Sequence, residues 1–165
     1  MSYQEKRIIV NLISGISILA AYGIYVLNQT SSGMVAPGDL KFWAGAMLTF
    51  IGIGIVATIV IQIVFHVLLS VSIAVSKTIQ NETIDENIIE KSIGSEMVED
   101  EMDKLIDMKS NQIGFIFAGI GFVWALIALV LNYSPVVMLN ILFISFNVGS
   151  LSEGVAQLYF YRRGV

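Results

Sequence analysis

One acid sits inside a long apolar run, and it is the residue in this chain best placed to do chemistry. Glu153 is followed four positions later by Gln157, one turn along the same helix face. A carboxylate within a membrane is costly unless paired, hydrogen-bonded or protonated, so Glu153 is a functional-site candidate that could act by taking up and releasing a proton. Other polar residues interrupt the apolar runs: Asn11, the pair Gln62 and His66 four apart, Gln112, Asn140, Asn147 and Ser150. The expected topology brings Asn11, His66, Gln112, Glu153 and Gln157 towards one side of the membrane, with His66, Gln112 or Gln157 within reach of the carboxylate. The plainer reading is structural. Glu153 reaches the interface and is satisfied by Gln157 or by Arg162 and Arg163. A single histidine with no second ligand beside it is weak ground for a metal site.

The second group with chemical potential is an acidic run. Glu96, Glu99, Asp100, Glu101, Asp103 and Asp107 stand just before an apolar segment. Glu96, Asp100, Asp103 and Asp107 fall on one helix face, where like charges repel by a few tenths of a kcal/mol (~0.2–0.5) per neighbouring pair. Val98, Met102, Leu105 and Ile106 form an apolar stripe opposite, which calls for a packing partner. The expectation is a solvated acidic face over a packed helix. In functional terms that face, with Glu99 beside it, would dock a basic cytoplasmic partner protein. Divalent-cation binding draws no support, because neither the spacing nor the glycine turn of an EF-hand is present.

Residues 99–112 also resemble a motif of small prokaryotic four-helix membrane proteins of unknown function. That motif is an Asp-Glu-Arg-Asp run followed by Ile, Lys-Ala and Arg, just ahead of a membrane helix. Asp100, Glu101, Asp103, Ile106 and Lys109 match it, whereas Met102, Ser110 and Gln112 replace arginine, alanine and arginine. The resemblance implies a four-crossing layout and brings no catalytic residue and no cofactor.

These groups need elements to position them. Of the 165 residues, 56% are hydrophobic and only 13% charged, and the mean hydropathy is +0.79. Long apolar runs rather than an even bias produce that value, which places the chain in the membrane class. Cysteine is absent, which excludes disulfides and thiolate chemistry. No basic patch supports nucleic-acid binding. Four crossings are expected, at about 8–27, 42–76, 95–131 and 136–160. The first is too long for a secretory leader, and Ser31-Ser32-Gly33 is a weak cleavage site. Asn28-Gln29-Thr30 matches a glycosylation acceptor too close to the membrane to be used.

The second and third runs would form helices of roughly 52 and 55 Å at 1.5 Å per residue, against a hydrocarbon core of about 30 Å. They are therefore expected to continue beyond the membrane as an antiparallel pair, an acidic helical hairpin joined through 77–94. Asn132-Tyr133-Ser134-Pro135 reads as a tight turn, and 28–40 as a polar loop. Of nine Lys and Arg residues, only Lys41 falls outside if both termini are cytoplasmic. Tyr25, Phe42, Trp43 and Tyr133 would mark the outer boundary, and Tyr159 and Tyr161 the inner one. Small residues recur every four positions in Ser110, Gly114 and Ala118, in Gly121 and Ala125, in Gly45 and Thr49, and in Ser17 and Ala21. Such stripes let backbones approach, within the chain or between copies in a homo-oligomer.

The resulting expectation is an all-α integral protein of the cell membrane with four transmembrane helices in one domain. No nucleophile–base pair, phosphate loop or cofactor motif is present, so an enzyme is not expected. A non-enzymatic interaction or regulatory subunit, acting through the acidic hairpin, is the first functional reading. A small transporter or channel built around a protonatable Glu153 is the alternative. In sealed cells, a cysteine probe at Gly38 should be labelled from outside and probes at Ser2 and Gly94 spared; labelling at Gly94 would reverse the orientation.

Overall fold

The computed structural model describes residues 3–33, 38–79 and 101–164. The described residues hold four helices: α1, Tyr3–Ser31; α2, Leu40–Ile79; α3, Glu101–Val130; and α4, Pro135–Arg163. Each is long and apolar enough to cross a membrane. Among the described residues there is no strand. The second run forms one unbroken helix of 40 residues. α1 starts earlier and ends later than expected, so Asn28 to Ser31 belong to helix rather than loop. The apolar pattern understates helix length because polar terminal turns still satisfy their backbone groups within the helix.

The turn between α3 and α4 has a clear cause. Asn132 takes the left-handed conformation at φ 63°. The Asn132 amide donates to Leu129 O and the Tyr133 amide to Ala128 O, both at 3.0 Å. This is the paired-bond ending of a helix, with Asn in the place usually taken by Gly. Ser134 follows as N-cap with Pro135 opening α4, where a missing amide hydrogen costs nothing.

That turn sends α4 back along α3, and their interface is the most extensive among the described residues. It is built on small residues. A Cβ on Gly149 would stand 2.7 Å from Gly114 O, and one on Gly114 would stand 3.1 Å from Gly149 O. A Cβ on Gly121 would fall onto the Ser145 side chain. Ser110, Gly114, Gly121 and Ala125 are all buried, so the stripe read on the third helix is a packing face. The other two stripes are not. Ser17, Ala21, Gly45 and Thr49 are exposed, and the Ser17 and Thr49 hydroxyls donate to Ile13 O and Gly45 O of their own helices.

α1 packs on both α4 and α2, and α2 also touches α4. A Cβ on Gly15 would stand 3.0 Å from Leu151 Cδ2, and one on Gly154 would stand 2.8 Å from Leu12 Cδ2, so α1 and α4 run antiparallel. Near the far end, Tyr22, Met47 and Phe143 form a buried cluster joined by Val26, Phe50 and Leu139. The Tyr22 ring lies 4.3 Å from that of Phe143 and 5.3 Å from that of Phe50.

The expected pairing of α2 with α3 is corrected. Among the described residues α3 lies along α4, and α2 and α3 share no interface of comparable extent. The short turn at Asn132 makes α4 the obligatory neighbour, whereas the α2–α3 connection is long. Arg162 reaches Glu5 (3.7 Å) and Tyr161 reaches Asp103 (2.7 Å), so the starts of α1 and α3 lie level with the end of α4. Ser95, Val98 and most of the 77–94 connection lie outside the described residues.

The glycine crossing yields a direct test. Gly149→Ala should destabilise the protein by about 1–3 kcal/mol through overpacking. Gly119→Ala, where an added Cβ meets nothing within 4 Å, should be neutral or slightly stabilising. Thermal unfolding of both variants in the same lipid or detergent checks the difference.

Candidate functional site

The periodicity that packs α1 against α4 also lays out their polar residues. On α4, Asn140, Asn147 and Tyr161 recur at multiples of seven, with Ser150 and Gln157 on the neighbouring positions of the same stripe. On α1, Gln4, Asn11 and Tyr22 lie on the face that meets them. A polar seam therefore follows the α1–α4 contact from the end bearing the termini towards the aromatic cluster.

Near the termini the seam opens into a cleft of about 280 Å³ that includes Arg7, Asn11, Asn147, Ser150, Glu153 and Gln157 in its lining. A second cleft of about 560 Å³ lies between α1, α2 and α4. It shares Asn11, Gly15, Asn147 and Ser150 with the first and is otherwise walled mainly by aliphatic and aromatic groups, Phe143 among them. Glu153 also borders a smaller cleft towards α3, with Asn111, Gly114 and Ala118. Gly114 is what admits it, since a Cβ there would stand 3.3 Å from Glu153 Oε2.

The partners differ from those expected. Gln157 donates to Asp107 (2.7 Å), and Arg162 pairs with Glu5. Among the described residues no hydrogen bond or ion pair engages the Glu153 carboxylate. Asn11 Oδ1 is buried without a hydrogen-bond partner. Such an acceptor costs about 1–3 kcal/mol relative to a satisfied one. Asn147 donates to Phe143 O (2.8 Å), so its amide oxygen is the group left to turn elsewhere. Past Phe143 the seam ends at Tyr22, whose hydroxyl donates to Asn140 Oδ1 (2.7 Å) while Asn140 Nδ2 donates to Val136 O.

Not every expected residue joins the cluster. Asn11, Asn147, Glu153 and Gln157 come together. Gln62 and His66 are exposed on α2, and Gln112 is exposed on α3. Their depth along the helices is right, but their rotation about the axis points them away. Arg7 is the member whose place in the cleft the sequence reading missed; its position one turn before Asn11 is the signal that could have found it.

The acidic face is also turned round. Asp103 accepts from Tyr161 and Asp107 from Gln157, both at 2.7 Å, and both acids border a narrow space with Gln4, Arg7 and Ile106. Ile106 is only 3% exposed, yet Met102 and Leu105, expected under cover, are 50% and 37% exposed. The glycine crossing fixes this rotation, since residues 103, 107, 110 and 114 share the helix face that must meet α4. Tyr161 accordingly serves as a partner of Asp103 rather than as a boundary residue alone. Glu96, Glu99 and Asp100 lie outside the described residues. Among the described residues no three His, Cys, Asp or Glu side chains converge as for a metal.

Compared with known proteins, the chain matches no family model, no curated protein and no solved structure.

The Tyr22–Asn140 bond is testable alone. Tyr22→Phe keeps the packed ring and removes the donor, and should cost about 1 kcal/mol. Tyr22→Ala should cost about 3–5 kcal/mol by emptying the cluster. Equal losses in thermal unfolding would mean that the hydroxyl, not the ring, secures the far end.

Proposed function

We propose that this chain is a non-enzymatic, multi-pass membrane protein of the carrier or channel class. In this reading both termini are cytoplasmic, as the distribution of Lys and Arg supports. The α1–α4 seam is then a pathway entered from the cytoplasmic side. Glu153 is the group that takes up and releases the charged species, and the Tyr22–Phe143 cluster closes the far end. One observation carries the proposal: a carboxylate without an ion-pair partner among the described residues borders a polar cleft between helices that are otherwise apolar.

The interaction-subunit reading draws less support. Of the five acids assigned to a docking face, the two described, Asp103 and Asp107, accept hydrogen bonds from α4. That leaves less acidic surface for a basic partner.

Proteoliposomes with a trapped pH indicator test the reading. An imposed membrane potential should drive proton entry that Glu153→Gln slows at least tenfold, since the amide keeps the shape and loses the charge. Glu101→Gln, on an exposed residue at the start of α3, should leave the flux unchanged. Absence of any Glu153-dependent flux would overturn the conducting reading.

A further inference from the structure

Two clefts of different character meet at Asn11. The first is lined by Glu153, whose carboxylate has no hydrogen-bond or ion-pair partner among the described residues, and by Asn11. The second continues from Asn11 between α1 and α2, where Ile18, Phe50, Ile55 and Phe143 form an apolar wall. The joined space thus carries a carboxylate at one end and is greasy at the other. Arg7 also borders the first cleft, but it shares the adjoining space with Asp103 and Asp107, whose charges offset its own.

A ligand matched to this space needs a positive charge, hydrogen-bond donors and an apolar body. A primary ammonium carries three donors and no acceptor, the complement of the ionised Glu153 carboxylate, which only accepts. A bare metal ion is a poor match. The first cleft holds about 280 Å³, against roughly 30 Å³ for the share of one water molecule, and no three-ligand grouping of His, Cys, Asp or Glu is present among the described residues. We propose that the joined clefts bind an amphipathic organic ammonium ion. Its charged head lies at the Glu153 carboxylate, beside Asn11, and its apolar body runs along Phe50 and Phe143. This inference rests on the reading of Glu153 as the cation-handling group and adds to it the chemical class of the ligand.

Binding of radiolabelled phenethylammonium to the protein in phosphatidylcholine nanodiscs tests it, with empty nanodiscs subtracted. The amine should bind saturably, and 2-phenylethanol, which has the same body without the charge, should compete at least tenfold more weakly. Glu153→Gln and Asn11→Leu should each weaken amine binding at least tenfold, whereas His66→Gln should change it less than threefold. Should a variant fail to fold, the comparison of amine with alcohol on the unaltered chain still decides. Equal competition by the alcohol, or amine uptake that does not saturate, would overturn the proposal. Glu153-dependent proton flux without amine binding would remove this inference alone. Amine binding without flux would remove the conducting reading and leave the site standing.

Discussion

The close crossing of α3 and α4 at Gly114 and Gly149 is the constraint on which the rest of the structure depends. In a bilayer, lipid tails are as apolar as leucine, so helices gain little by hiding apolar side chains from each other. What favours association is close backbone approach, and only glycine permits the approach seen here, where a Cβ on Gly149 would lie 2.7 Å from the facing carbonyl oxygen. Once that pair is fixed, the rotation of both helices is fixed with it. Gly121 then meets Ser145, Ser110 is buried, and Asp103 and Asp107 turn towards Tyr161 and Gln157.

The same rotation gives Glu153 its surroundings. α4 spends one face on α3 and the adjoining face on α1, and Glu153 lies at the boundary between them. It consequently borders the cleft with Arg7 and Asn11 on one side and the cleft with Asn111 and Gly114 on the other. Asp107 is near enough for the two carboxylates to repel. Gln157 donates to Asp107 (2.7 Å). Among the described residues these acids are not collected into a metal cage.

α2 is held differently. None of its most apolar stretch is buried within the protein, and its contacts are with α1 and the margin of α4. An apolar surface of that extent is compatible with a lipid environment. It also leaves the groove between α1 and α2 open alongside the polar seam, so that a molecule with one charged end and one apolar end has complementary surface on both sides of Asn11.

The four long apolar helices and the small-residue face of α3 were legible in the sequence, because apolar run length and a four-residue repeat are properties of a single helix. The turn at Asn132 to Pro135 was legible for the same reason. The partner and rotation of each helix were not. The acidic stripe was expected to face outward over Met102 and Leu105, and the fold places Asp103 and Asp107 against α4 with those apolar residues exposed. His66 and Gln62 shared the expected depth of Glu153 yet face away from the cluster. Where the surrounding medium is as apolar as the core, amphipathicity no longer says which face is inside. That choice belongs to the tertiary structure, and here it is made by the one crossing where two glycine backbones nearly touch.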